Sequence, residues 1–225
     1  MLGGMSWEST AEYYRLTNTM VRERLGGLHS ARIVLHSVDF AEIEKLQVAG
    51  RWDDAGQVLA DAAMSLEAAG ADLVVLCTNT MHKVADQIEA AIAVPLVHLV
   101  DATAEAAKRA GLTRVGLLGT VFTMEQGLFY RDRMAHHGVE LVIPSVGDRG
   151  IVHDVIYEEL CLGVVRDSSR QRFLEVIDDW VSRGAEGVIL GCTEIELLIS
   201  QADVRVPVFA TTQIHVAAAV ALALG

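Results

Sequence analysis

The sequence predicts an α/β protein made of two similar lobes, each built on a parallel sheet. One observation is a repeat. Residues 70–80 read GADLVVLCTNT and residues 184–194 read GAEGVILGCTE. Laid over each other, Gly70 falls on Gly184, Val74 on Val188 and Leu76 on Leu190, at a constant offset of 184 − 70 = 114. In that register Thr78, not Cys77, falls on Cys192. A second observation is the character of the repeated run. Val, Ile and Leu without polar interruption suit a parallel strand buried on both faces. The third is alternation: such runs are separated throughout by helical stretches, which implies right-handed crossovers. Two similar lobes imply an approximate twofold axis, with duplicated strand ends facing each other across a cleft. Open α/β sheets carry their chemistry outside the carboxyl ends of their strands, so the loops after Leu76 and Leu190 are the candidate functional loops.

The elements follow in order. Only Met1 and Leu2 precede Gly3-Gly4, so the chain is expected to start inside its first strand. Ser6 caps a helix to about Arg24, and Gly26-Gly27 stop it. Residues 32–38 read as a strand, followed by a helix to about Ala49 and another from Trp52 to Ala69, ended by Gly70. Strand 72–77, a helix near 80–92, a strand after Pro95 and a helix over 101–110 complete the first half. The second half repeats this order: strand 114–118, helix 123–137, strand 139–143, helices 149–162 and 166–183, strand 187–191, a short helix, strand 206–209 and a helix over 213–224. Pro207 corresponds to Pro95 (207 − 95 = 112) and Gly119 to Gly3 (119 − 3 = 116). The Ser168-Ser169 pair is expected on a helix surface, and Met64, Tyr13, Tyr14 and Trp180 in the core or an interface.

Composition bounds the function. The chain has 225 residues, 52% of them hydrophobic, with a mean hydropathy of +0.34, enough for one large or two small domains. No apolar run approaches the roughly 20 residues that span a bilayer, and the N-terminus lacks a secretory pattern. A net charge of −12 without a basic block excludes nucleic acid as the expected partner. Cys77, Cys161 and Cys192 are odd in number and form no CxxC pair, so a reduced, cytoplasmic protein without structural zinc is expected.

The strand ends carry the chemistry. Cys192 follows a buried strand, beside Gly191 and before Thr193 and Glu194. A helix starting there would aim N–H groups at the sulfur and favour thiolate. Thr78, Asn79 and Thr80 form a polar cluster suited to cradling a carboxylate, with Met81 and His82 behind them. His82 reads as a supporting or packing residue. Cys77 continues the strand and points away from Thr78, a packing position. Gly3-Gly4-Met5-Ser6, and Gly119-Thr120 with Thr123, form the other strand-to-helix loops. The dinucleotide and phosphate-loop fingerprints are absent, so these loops suit a small anion rather than a nucleotide.

Through LGGMSWEST, HSVDF, LCTNTMH, LLGT with TMEQ, and LGCTEIELL, the sequence resembles the aspartate/glutamate racemase family within the Asp/Glu/hydantoin racemase superfamily. The resemblance runs essentially the whole length. It implies two Rossmann-like lobes, a site in the cleft, a small amino-acid substrate, no pyridoxal phosphate or metal, and a homodimer. It implies that two facing groups exchange the α-proton, one on each side. Thiols suit this because their ordinary pKa, about 8.5, can be tuned toward neutrality. By resemblance Asn79, Thr80, Thr120, Thr123 and Thr193 stabilise the carbanion-like transition state, and Met5, Ser6, Met81 and Glu194 complete the substrate site.

The sequence departs from the family pattern where two-cysteine members have Cys directly before Asn-Thr. Here that place is Thr78. The expected pair is therefore asymmetric, with Cys192 as thiolate base and Thr78 on the donor face. The positions that hold the substrate's second carboxylate correspond to residues around Glu42-Ile43 and Leu160-Cys161, which lack a cation. A neutral polar substrate thus stands beside aspartate or glutamate, and Arg15, Lys45 and Arg51 are the nearest candidate cations. Hydantoin racemisation, maleate isomerisation, decarboxylation and simple carboxylate binding remain alternatives. The expected lobes are 1–100 with 208–225, and 101–207.

Overall fold

The computed structural model describes residues 1–124 and 128–225. Residues 125–127, which include Glu125 and Gln126 of the TMEQ motif and part of the helix expected over 123–137, lie outside the described residues. The chain forms two compact units, Met1–Leu99 with Thr212–Gly225, and Val100–Thr211.

The first half runs β1 (Leu2–Gly3), α1 (Trp7–Leu25), β2 (His36–Ser37), α2 (Phe40–Val48), α3 (Trp52–Ala68), β3 (Val74–Val75), a 3₁₀ turn (Thr80–Val84), α4 (Ala85–Ala91) and β4 (Leu96–Val97). Next come α5 (Leu99–Arg109), β5 (Arg114–Leu118), α6 (Val121–Met124), α7 (Leu128–His136), β6 (Glu140–Val142) and α8 (Val146–Glu158). A 3₁₀ turn (Leu160–Leu162), α9 (Asp167–Ser182), β7 (Gly187–Leu190), a 3₁₀ turn (Thr193–Leu197), β8 (Val208–Ala210) and α10 (Thr211–Leu224) follow. All described strand pairs are parallel.

The duplication is visible in the strand register. In the second unit the order is β6-β5-β7-β8. In the first unit, ribbons β1-β2 and β3-β4 are joined by a bridge between Leu2 and Leu76, giving the matching order β2-β1-β3-β4. Val74 faces Leu96, and Val188 faces Val208, offsets of 188 − 74 = 114 and 208 − 96 = 112. Leu2 faces Leu76, and Leu118 faces Leu190, offsets of 118 − 2 = 116 and 190 − 76 = 114. These are the offsets read from the glycines and prolines. The helix stops repeat too. Gly70 (φ +87°) and Gly184 (φ +92°) take the left-handed conformation after α3 and α9. The residue after each, Ala71 or Ala185, donates back to Leu66 O (3.1 Å) or Trp180 O (2.9 Å), a Schellman closure that turns the chain into its strand.

Three expectations change. The strand expected over 32–38 is only His36–Ser37, because β1 supplies ladder partners for those two residues alone. The change of unit comes at Thr212 rather than at 208, because β8 pairs with β7 and so completes the second sheet. Ser169 is buried and donates to Glu159 (2.6 Å) rather than lying on the surface. Tyr13 and Trp180 are core, whereas Tyr14 and Met64 are exposed.

Strand β3 and its continuation alternate between two cores, as a strand covered on both sides must. Val74 and Leu76 pack with Leu2, Ile43, Leu59 and Ile88. Val75 and Cys77 pack with Tyr13, Leu16, Val216 and Val220. Behind this second layer His215 is fully buried, accepting from Tyr13 Oη at Nδ1 (2.9 Å) and donating from Nε2 to Val97 O (2.7 Å). Burial lowers its pKa to about 4, although the Val97 bond acts the other way. The His82 ring lies 5.5 Å away.

The sign of the pH effect follows. Above the unfolded value of about 6.5 the ring is neutral in both states, and the packing is fully available. As pH falls from there toward 4, only the unfolded chain takes up the proton, and stability is lost, reaching about 3 kcal/mol below both values. Urea unfolding at pH 7 and pH 5 checks this. His215→Gln should flatten the difference by about 1–2 kcal/mol; equal slopes for variant and wild type would refute it.

Candidate active site

In the first unit, two strand-end loops are joined by short hydrogen bonds. Gly4 (φ +99°) makes the turn after β1, and a Cβ there would run into the Val38 carbonyl. Ser6 caps α1, accepting from Ser9 N (3.1 Å). Thr10 Oγ1 accepts from Gly4 N (2.8 Å) and donates to Ser6 O (2.8 Å). Ser9 Oγ then donates to Cys77 O (3.4 Å), and Cys77 N to Leu2 O (2.8 Å). Met5 and Ser6 are thereby brought beside the loop that carries Thr78, Asn79 and Thr80.

Thr78 is half-buried and Asn79 is buried. The Asn79 side chain does not cap the turn that follows. Met81 is fully buried in the core, its sulfur accepting from Gln47 Nε2 (2.9 Å), so it is a packing residue and not an open substrate contact. Cys77 is also fully buried; its Sγ lies 3.6 Å from Val75 O, and burial pushes its pKa up to about 12. Cys77 thus sits among the core residues of its strand.

In the second unit, the loops after β5 and β7 meet through glycines. Gly191 N donates to Leu118 O (2.7 Å). A Cβ on Gly119 would stand 3.4 Å from Gly191 O, and one on Gly191 would stand 2.8 Å from Leu118 O. Thr120 and Thr123 are buried, their hydroxyls 3.2 Å apart. On the adjoining loop Cys192 is half-buried. Its Sγ donates to Glu194 Oε2 (2.9 Å), which also accepts from Thr193 Oγ1 (2.7 Å).

Here the electrostatics differ from expectation. The turn after Cys192 is a five-residue 3₁₀ segment, too short for a strong dipole. Burial, followed by the Glu194 carboxylate, raises the Cys192 pKa well above its ordinary value. Cys192 is thus hydrogen-bonded to a carboxylate and held toward its protonated form. Near the same loop, Val121 N donates to His153 Nδ1 (3.4 Å), and the His153 ring lies 4.5 Å from Tyr157 and 5.9 Å from Phe122. Half-buried Arg149 sits one turn before His153 on the same face of α8. The sequence reading missed this face; its signal was the i, i+4 spacing of Arg149, His153 and Tyr157. Of the cations that reading named, Arg15 and Arg51 are spent in surface pairs with Glu12 and Asp54.

The model of the Asp/Glu/hydantoin racemase family matches residues 2–219. A crystal structure of a candidate Asp/Glu racemase from Yersinia pestis is 55% identical, with a TM-score of 0.94, covering 100% of this chain and 97% of that one. An aspartate racemase homologue from Pyrococcus horikoshii OT3 is 35% identical, with a TM-score of 0.88 over the same shares, 100% and 97%. The broad specificity amino-acid racemase RacX of Bacillus subtilis strain 168 is 21% identical over 159 residues, 69% of this chain and 66% of that one. No helix among the described residues is long and apolar enough to cross a membrane.

Proposed function

Because this chain belongs to the Asp/Glu/hydantoin racemase family, we propose that it racemises a free amino acid without pyridoxal phosphate or metal. Cys192 and Thr78 serve opposite faces of the α-carbon. The observation that carries the reading is the thiol–carboxylate pair at one repeated strand end, with a hydroxyl at the matching place of the other. Cys192 passes its proton to Glu194, and the resulting thiolate takes the α-proton. Asn79, Thr80, Thr120, Thr123 and Thr193 are the donors for the charge that develops on the substrate carboxylate. The Thr78 hydroxyl then delivers a proton to the other face and is reprotonated by water, while Glu194 loses its proton to solvent. Met5 and Ser6 close the loop beside Thr78. Arg149, one turn before His153 on α8, is the candidate cation for an acidic substrate.

A threonine hydroxyl gives a proton readily to a carbanion but is scarcely available as an alkoxide base. Initial rates from the two enantiomers should therefore differ, while the equilibrium stays even, since mirror images have equal free energy. The test is chiral analysis of an amino-acid panel in heavy water with no added cofactor, with Thr78→Ala and Cys77→Ala alongside. Thr78→Ala should lose inversion and Cys77→Ala should keep it. Equal, fast rates in both directions would count against the asymmetric pair. An inactive Cys77→Ala beside an active Thr78→Ala would overturn the register. Absence of deuterium at Cα for every amino acid would point to a carboxylate binder.

A further inference from the structure

We propose that His82 is a positioning residue for Thr78, a neutral imidazole whose two nitrogens hold the Thr78 loop at a fixed place. The inference rests on the racemase reading above. His82 is fully buried in the first unit. Its Nδ1 lies 2.8 Å from Thr78 O, and its Nε2 lies 3.1 Å from Leu99 N. The partners decide the tautomer. A backbone N–H can only donate, so Nε2 carries the lone pair; a backbone carbonyl can only accept, so Nδ1 carries the proton. A ring protonated at both nitrogens would turn one N–H against another N–H at Leu99. The His98 ring lies at 4.7 Å and the His215 ring at 5.5 Å.

The Thr78 loop depends on this bracket. Thr78 N donates to Leu76 O (2.9 Å), a tight turn that leaves the following carbonyl pointing inward. His82, four residues later, returns to that carbonyl and fixes it against Leu99 N. Thr78 presents its hydroxyl from the backbone so held. Cys192 belongs to the other unit and takes no part in the bracket. Loss of the bracket should therefore impair proton delivery on the Thr78 face and leave abstraction by Cys192 intact.

Two isosteric variants separate the two bonds. In His82→Gln the side-chain amide reaches the Nε2 position and still accepts from Leu99 N, but the donor to Thr78 is gone. In His82→Asn the amide sits where Nδ1 was and still donates to Thr78, while the Leu99 bond is lost. Each variant loses one bond, so their thermal midpoints should be similar. Single enantiomers are incubated with each protein in heavy water, and inversion and deuterium incorporation with retention are followed separately. Take the enantiomer whose α-hydrogen Cys192 removes. His82→Gln should slow its inversion about 10- to 100-fold, with KM and retention exchange unchanged. His82→Asn should recover most of the inversion.

Inversion and retention exchange falling together in His82→Gln would show a merely structural role and overturn the proposal. Inversion at the wild-type rate would do the same. A wild type that incorporates no deuterium from any amino acid would remove the racemase reading itself, and this role with it. The wild-type control thus tells the two failures apart.

Discussion

Cys192→Ala should lower kcat/KM about 10³-fold in both directions, with deuterium incorporation at Cα lost to the same degree. A positioned acid/base group typically supplies 10²- to about 10⁴-fold, and Cys192 is proposed to act in every turnover, as base in one direction and acid in the other. Its side chain is half-buried at the edge of the second unit's core, so alanine should leave the fold intact by circular dichroism. Glu194→Gln dissects the same group. Burial and, after it, the charge and hydrogen bond of Glu194 raise the Cys192 pKa. The wild-type rate should thus climb into the alkaline range as the thiol ionises. In the glutamine variant the charge is gone while the amide oxygen can still accept from the thiol, so the alkaline limb should move to lower pH, and the maximum falls because the proton acceptor is missing. A limb that stays in place would show that Glu194 does not sense the sulfur. A Cys192→Ala enzyme that still exchanges the α-proton would remove the central thiol from the mechanism.

How much of this was legible in the sequence depends on the range of the force involved. The repeat was legible because backbone geometry writes directly into residue type. Gly70 and Gly184 must take left-handed conformations after their helices, and Val-Val and Val-Ile runs must be covered on both faces. Strand register followed from the same offsets. Strand length did not, since His36 and Ser37 end as a ladder where β1 ends, and a partner's length is not encoded in the strand itself. The match of Thr78 to Cys192 was readable from alignment within the chain; the direction of the Cys192 pKa shift was not. A dipole argument uses only neighbours along the chain, whereas desolvation and the orientation of Glu194 are set by tertiary packing. His82 reads as a supporting or packing residue in the sequence, but the bond that Leu99 N donates to its Nε2 (3.1 Å) joins residues 17 apart and is not visible there. Met81 follows Asn-Thr and reads as a substrate contact in the sequence, whereas the structure buries it against Gln47.

The largest expected loss of stability is at Trp180. Its side chain is fully buried in α9 among Phe173, Ile177, Val188 and Leu190. It lies over Gly116 of β5, where an added Cβ would overlap the indole ring. Trp180→Ala removes the ring's contacts and leaves a hole that a strand and a helix cannot fully close, at a cost of about 3–5 kcal/mol. That is a large part of the roughly 5–15 kcal/mol that holds a typical domain folded. Gly116→Ala should also destabilise, because the ring has no room to move. The two changes should not add, since they concern one volume: an alanine at 116 partly fills the space that a smaller residue at 180 opens. Urea unfolding of Trp180→Ala, Gly116→Ala and the double variant measures this, with the double variant expected to be more stable than the sum of the single losses predicts. Strict additivity would mean that the glycine is required for backbone conformation and not for the ring. The same packing supports β5 and β7, the strands that lead into Thr120 and Cys192. Partly destabilised variants should therefore lose activity in proportion to the folded fraction, distinguishing them from Cys192→Ala, which stays folded and inactive.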